Sequence, residues 1–301
     1  MLDKLNFLIA LAQEQHFGRA AEACGVTQPT LSAGLKQLEE ILGVLLVQRG
    51  SRFHSFTPEG QRTLEWARRI VGDERALRQE MRALKQGLSG HIRIAAVPTA
   101  LAMVAGLTTP YRALHPDVSF TVLSCTSISI LSMLENLEID AGLTYLDNEP
   151  VGRVRTVPLY REHYRLLTAP DHPLGNRERV TWAEVSQVPL CLLTPDMQNR
   201  RIIDRYIRAA GAEPAPTLES NSMILLFSHV RTGEWASVMP AKLAETLGLT
   251  ETIRAIPIIG DEPYPTIGLV VPHREPMTPL TAALVAEARR VAPALVDPED
   301  Q

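Results

Sequence analysis

The sequence predicts a multidomain α/β protein: a winged helix-turn-helix at the amino terminus, a dimerising linker helix, and a two-lobed α/β domain occupying the remainder. Three observations predict it. Residues 2–42 have helical apolar spacing interrupted by a single glycine turn, residues 57–85 repeat apolar side chains every seven positions, and from His91 short strand-like runs alternate with helical ones.

Leu2, Leu5, Leu8, Ile9 and Ala12 recur at three- and four-residue intervals, opposite Asp3, Lys4, Gln13 and Glu14. That is the stripe of an amphipathic first helix. A short second helix over Arg19–Cys24 stops at Gly25, which takes a left-handed conformation cheaply. Thr27 then caps a third helix, with Pro29 in the first turn where its missing N–H costs nothing. This helix, expected over Pro29–Leu42, buries Leu31, Leu35, Leu38 and Ile41 or Leu42, and turns Gln28, Thr30, Ser32, Ala33 and Lys36 outward. Ala21, Gly25 and Leu31 supply the helix-turn-helix spacing: a small residue for close crossing, a glycine for the turn and an apolar anchor. The outward face suits a DNA major groove, where Gln, Ser and Thr bond base edges and Lys36 bonds phosphate. An ordinary helical hairpin with a polar face explains the same pattern less fully.

Gly43 ends the third helix, and Leu45–Phe56 reads as a hairpin around Gln48-Arg49-Gly50-Ser51-Arg52. Its basic tip suits a wing in the minor groove, with Arg52 as the inserted side chain. Thr57 and Pro58 then start a polar helix running to about Lys85. Ile70, Leu77 and Leu84 are seven apart, as are Ala67, Met81 and Leu88 with Glu74 interrupting. Such a seam on a charged helix predicts a homodimer. Gly87, Ser89 and Gly90 follow as a hinge.

Strands are expected at Ile92–Val97, Val118–Leu123 and Ile139–Tyr145, with helices over Thr99–His115 and onward to Asn136, which makes a βαβαβ unit. A second unit is expected in strands Pro189–Thr194, Thr217–Glu219 and Trp235–Met239, with helices over Gln198–Ala210 and Ser222–Thr232. The strand Thr266–Val271 and the helix Pro279–Val291 return to the first unit. Crossings near Val157–Arg165 and Pro257–Pro265 join the two lobes into a hinged clamshell. The expected divisions are 1–58, 59–90 and 91–301, with the first lobe about 91–160 and 266–301 and the second about 161–265.

Composition narrows the function. The 301 residues are 45% hydrophobic and 21% charged, with a net charge of −4. Residues 1–90 hold 12 Lys/Arg and 10 Asp/Glu, leaving 18 against 24 for the rest, so the modest positive excess lies in the amino-terminal part of the chain, the sign expected of a DNA-binding region. Cys24, Cys125 and Cys191 are scattered and form no CxxC pair, and the eight histidines form no HExxH, so neither a disulfide framework nor a metal site is expected. No G-x-S-x-G elbow, GxGxxG or GxxxxGK[ST] loop occurs, which leaves an enzyme and a nucleotide cofactor without support. Neither a signal peptide nor a bilayer-spanning run is visible, so a cytoplasmic protein without a membrane partner is expected.

Ala20-Ala21, Thr27-Gln28-Pro29-Thr30-Leu31-Ser32, Leu38-Glu39, Leu42-Gly43, Arg49 and Thr57-Pro58-Glu59-Gly60 resemble, in order and spacing, the LysR-type transcriptional regulators. The resemblance implies a regulator that binds double-stranded promoter DNA, responds to a small-molecule effector and assembles as a homotetramer, with no cofactor. It implies DNA contact by Thr27, Gln28, Pro29, Thr30, Ser32, Lys36 and Arg52, and an effector domain like a periplasmic binding protein. Ala33-Gly34 stands where the family often has an arginine followed by an apolar residue, which removes one expected contact. Val47 replaces a usual phenylalanine, a change of packing.

Effectors in such folds bind at the carboxyl ends of strands, near helix N-termini. The loops that qualify are Pro98-Thr99-Ala100, Thr126-Ser127, Asn221-Ser222 and Tyr264-Pro265-Thr266. Singly each is better explained as a helix cap. Together, at the family's positions, they favour a cleft for a small carboxylate or other anion, with Arg153, Arg155, Arg161 and Arg200 as available counter-charges. Asp140 to Pro150 resembles relatives associated with formate metabolism. The competing class is a small-molecule receptor with no DNA role, which the helix-turn-helix argues against.

Overall fold

The structure, a computed structural model, describes residues 1–49, 53–147, 149–248 and 252–295, and of Arg49 only the backbone. The chain divides into two compact units: Met1–Leu88 with Glu135–Glu138 and Glu275–Pro279, and the remaining residues.

The first unit contains α1 (Leu2–Glu14), α2 (Phe17–Ala23), α3 (Gln28–Leu42), the strands β1 (Val47–Arg49) and β2 (Phe53–Phe56), and α4 (Pro58–Gln86). Local chemistry sets each boundary. His16 Nδ1 accepts from the N–H groups of Gly18 and Arg19 at 3.1 and 3.3 Å, capping α2. Gly25, with φ of 66°, makes the turn that the sequence places there. Thr27 Oγ1 accepts from Thr30 N at 3.4 Å at the start of α3, and Thr57 Oγ1 accepts from Gly60 N at 2.9 Å at the start of α4. Leu5, Leu8, Leu11, Ala20, Leu31, Leu35, Leu38, Leu46, Leu64, Ala67 and Val71 form one core. Val47 is buried within it.

Two expectations fail here. Ile41 and Leu42 are 56% and 43% exposed, and the buried residue on that turn is Glu39. Its Oε1 accepts from the N–H groups of Leu46 and Val47 at 3.0 and 3.3 Å, so a carboxylate satisfies two backbone donors that an isoleucine would leave unmet. Ala67 does not join a dimer seam, because it is fully buried in the unit's own core. The exposed apolar row on α4 is Trp66, Ile70, Leu77, Met81 and Leu84.

The second unit runs through β3 (Gly90–Ala96), a 3-10 turn (Pro98–Ala100), α5 (Leu101–Leu114), β4 (Val118–Ser124), α6 (Ser127–Glu135), β5 (Ala141–Tyr145) and β6 (Val154–Arg161). It continues with β7 (Tyr164–Thr168), β8 (Val180–Thr181), α7 (Trp182–Val185), β9 (Cys191–Leu193), α8 (Gln198–Ala209), β10 (Leu218–Ser220) and α9 (Met223–Val230). The last elements are β11 (Ser237–Pro240), α10 (Ala241–Leu247), β12 (Arg254–Ile259), β13 (Thr266–Pro272) and α11 (Pro279–Leu295).

One lobe is a sheet in the order β4-β3-β5-β13-β6, with β3 parallel to β4 and β5, and β13 antiparallel to β5 and β6. The other lobe holds β11-β7-β12-β8 and the parallel pair β10-β9, bridged by Leu190 and Ala236. The expected second unit is present, with β9 parallel to β10 and a parallel bridge from Leu190 to Ala236, and the crossing segments add β7, which pairs antiparallel with both β11 and β12. The segments expected as plain crossings are strands themselves. Alternate apolar residues of β6 and β12 pack inward while their backbones pair, leaving only Glu162-His163 and residues 260–265 between sheets. The helix expected from Thr99 begins instead at Leu101, after the 3-10 turn.

Candidate functional site

On α3 the residues expected to meet DNA share an open face. Gln28, Pro29, Thr30 and Lys36 are exposed and Ser32 is half-buried. Ala33 and Gln37 are exposed on the same face, and Gln37 went unnoticed because no spacing rule distinguishes it from a solvated glutamine. Thr27 is occupied locally, its hydroxyl 2.8 Å from Thr30 Oγ1 and capping the helix. Lys36 Nζ lies 4.0 Å from Glu40, a weak exposed pair that leaves the ammonium available to phosphate. Arg52 lies outside the described residues, as does the tip Gly50-Ser51. Gly34 is buried, and a Cβ there would stand 2.7 Å from the Phe7 ring, so Gly34 faces α1 and takes no part in the outer face.

In the second unit, the end of β3 and the start of the helices bring polar groups inward. Pro98, Thr99 and Ala100 are all buried. Thr126 Oγ1 accepts from Ser129 N at 3.1 Å, so it acts as a cap, and Ser222 does the same for Leu225 N at 3.4 Å. Ser127 is 3% exposed, and its hydroxyl has no hydrogen-bond partner among the described residues. Asn221 is exposed, and Thr266 N donates to Asp147 Oδ2 at 2.7 Å. Arg200 is no counter-charge for a ligand: its guanidinium is taken by Asp204 at 2.7 Å, Leu193 O at 2.8 Å and Glu219.

Thr99 leads to residues that spacing rules pass over. Its hydroxyl lies 3.1 Å from Tyr145 OH, which donates to Glu162 Oε1 at 2.5 Å. Tyr164 OH donates to the same oxygen at 2.9 Å, and Asn199 Nδ2 lies 3.1 Å from Tyr145 OH and 3.4 Å from Glu162 Oε1. Burial pushes the Glu162 carboxyl up to about 7, against the pull of these donors. Beside this cluster, Gln198 Nε2 donates to Asp147 O at 3.2 Å and Arg201 grips Glu149 through Nε and Nη2 at 2.8 and 3.0 Å. The signal in the sequence was an acid, Glu162, between two apolar strand runs, and amides on the inward face of an amphipathic helix.

The amino-terminal residues 2–61 match the family described as bacterial regulatory helix-turn-helix protein, lysR family, and residues 85–293 match the LysR substrate binding domain. The chain belongs to the LysR family. It is a sequence-specific DNA-binding transcription regulator whose family responds to small-molecule effectors, and its relatives are regulators rather than enzymes. A hydrogen peroxide-inducible genes activator of Dickeya chrysanthemi is 29% identical over 275 residues, covering 91% of this chain and 90% of the relative. OxyR of Escherichia coli K12, a DNA-binding transcriptional dual regulator, is 29% identical over 276 residues, with the same shares. A full-length OxyR from Pseudomonas aeruginosa, carrying aspartate in place of one cysteine, superposes with a TM-score of 0.75 at 26% identity, covering 96% of this chain and 94% of that one. CbnR in complex with its target DNA shares the fold at a TM-score of 0.61 and 21% identity, over 97% of this chain and 100% of that one. As a LysR regulator the chain has, among the described residues, no helix long and apolar enough to cross a membrane.

Proposed function

We propose that this LysR regulator binds promoter DNA through Gln28, Pro29, Thr30, Ser32 and Lys36 of α3, with Arg52 in the minor groove, and senses a small carboxylate between its lobes. The exposed polar face of α3 supports the first part. The single observation that carries the second is Ser127: a buried hydroxyl with no partner at the start of α6 wants a ligand, and the free N–H groups of that turn favour an anion. Pro98, Thr99 and Ala100 wall the same lobe, with Thr126, Asn221, Ser222 and Thr266 at neighbouring strand ends and helix starts. Formate is the smallest candidate, on the likeness of Asp140 to Pro150 to relatives associated with its metabolism.

The DNA-binding division is 1–58 and the dimerising helix and hinge 59–90, with lobes of about 91–160 plus 266–301 and 161–265. The exposed row Ile70, Leu77, Met81 and Leu84 supports a dimer through α4. Family likeness supports a cytoplasmic homotetramer. Ligand binding changes the lobe angle, and the linked dimer passes this to the spacing of paired α3 helices; the ligand must bind the two states unequally to do so.

The relatives named for hydrogen peroxide raise a thiol-based second reading. It fits this chain poorly. Cys191 is fully buried and its thiol is pushed up to about 11, and burial raises Cys24 as well, whereas a sensing thiol needs exposure and easy ionisation. Cys125, partly exposed and 3.9 Å from Met133 Sδ, is the thiol left to carry it.

Thermal-shift titration of the full-length protein with formate, acetate and longer carboxylates tests the proposal. The expected result is a saturable rise in Tm for one carboxylate, lost in Ser127→Ala. No rise with any of them, together with peroxide-altered DNA binding abolished by Cys125→Ser, would replace it with the thiol reading.

A further inference from the structure

Glu162 is 1% exposed and sits on the two-residue crossing between β6 and β7. Its Oε1 gathers donors from both lobes: Tyr145 of β5 at 2.5 Å, Tyr164 of β7 at 2.9 Å and Asn199 of α8 at 3.4 Å. Its Oε2 has no hydrogen-bond partner among the described residues. Three donors thus converge on one carboxylate oxygen at the hinge, while its twin is buried and unmet.

Neither protonation state satisfies this arrangement. Ionised, the carboxylate makes charge-assisted bonds to its donors but leaves a charged oxygen buried with no protein donor among the described residues. Protonated on Oε2, it sheds the charge, weakens its hold on the three donors and leaves an O–H without an acceptor. The two costs oppose each other, which is why the carboxyl is pushed up to about 7 and not further. The titratable groups facing it are phenols, Tyr145 and Tyr164, with Tyr206 of α8 more distant; Tyr206 in turn lies beside Arg205 and Glu262. The leading influences on its ionisation are burial, which raises its pKa, and its hydrogen-bond donors, which lower it. His163, next in the chain, is buried with its ring 3.9 Å from that of Tyr264.

We propose that Glu162 is a proton-sensitive latch on the hinge: its carboxylate ties Tyr145 of one lobe to Tyr164 and Asn199 of the other, and proton uptake loosens that tie. Thr99, 3.1 Å from Tyr145 OH, connects the latch to the effector loop, so an occupant that engages Thr99 changes the bonds Tyr145 can offer. The latch concerns the crossing alone and does not depend on the effector being an anion.

Trp182 is a reporter, its ring 5.8 Å from Tyr164 and 5.2 Å from Tyr206. The full-length protein labelled with 5-fluorotryptophan gives a Trp182 signal, assigned by Trp182→Phe, to be followed by fluorine NMR from pH 5.5 to 8.5. The expected result is one titration with a midpoint near 7 that disappears in Glu162→Gln and persists in His163→Gln. Tyr145→Phe, which removes a donor to the ionised form, is expected to raise the midpoint by roughly one pH unit. A flat wild-type signal would overturn the latch, as would an unchanged midpoint in Glu162→Gln. Should Glu162→Gln not fold, an unchanged midpoint in both Tyr145→Phe and Tyr164→Phe would overturn it equally.

Discussion

The ring of Phe7 on α1 occupies the space that a side chain at position 34 of the recognition helix would need. A Cβ on Gly34 would stand 2.7 Å from Cδ2 and Cε2 of Phe7, well inside van der Waals contact. The departure of this chain at Ala33-Gly34 is thus two different events. Ala33 is exposed and offers only a methyl group on the outer face of α3, whereas Gly34 is an inward packing choice matched by Phe7. Gly34→Gln is expected to cost about 1 to 3 kcal/mol despite the better helix propensity, because the ring must move. Phe7→Leu should recover part of that loss. A double-mutant cycle by urea unfolding checks it, with a coupling above about 0.5 kcal/mol as the expected result.

The outer face of the same helix makes a separate prediction. Gln28→Ala is expected to lose roughly 1 to 3 kcal/mol of specific binding and relax base preference, while Lys36→Ala weakens all sequences alike and lowers the salt slope by about 1. Binding to operator and random duplexes at several salt concentrations separates the two. Equal effects on both duplexes from Gln28→Ala would contradict the assignment.

On α4, exposure separates self-association from folding. Leu77 and Leu84 are 57% and 76% exposed, so Leu77→Glu and Leu84→Glu should yield folded protein with a weakened dimer, read by light scattering. Val71, 2% exposed in the amino-terminal core, should behave oppositely: Val71→Ala costs on the order of 2 kcal/mol of stability and leaves the seam intact.

Stability should depend on pH through Glu162. Its carboxyl is raised in the folded chain to about 7 from an ordinary value of 4.5, so the folded state binds the extra proton between those limits. The contribution is fully present below about pH 4.5, falls as pH rises and is gone above about 7, a loss on the order of 3 kcal/mol. Glu162→Gln should remove this slope, so its stability relative to wild type improves from pH 5 to pH 8 in denaturant titrations. Parallel curves for the two proteins would contradict the linkage.

How much of this was legible in the sequence depended on whether neighbours in the chain are also neighbours in space. Thr27, Gly25, Gly43 and Thr57 declare helix ends by local chemistry, and the structure places ends there. Glu39 was not legible, because its partners Leu46 and Val47 follow an intervening turn and an acid on an apolar stripe ordinarily breaks the stripe. Ala67 fits a heptad seam and a packed core equally well by period, and only the fold decides between them. In the second unit, Thr99 was reached through its position after a strand. Tyr145, the near neighbours Glu162 and Tyr164, and Asn199 meet from three separate segments, and no spacing within any one of them announces the meeting. The crossings were read as links because antiparallel pairing of β6 with β13 and of β7 with β12 joins residues about a hundred positions apart.

The central claim is that α3 reads sequence in a major groove, and footprinting with gel shift on the DNA upstream of the protein's own gene tests it most directly. The predicted result is a protected site bound by the dimer, tighter than random duplex by at least about a thousandfold at physiological salt, with the preference reduced in Gln28→Ala. Binding that is equally strong on random duplex, or whose preference survives Gln28→Ala unchanged, would contradict it.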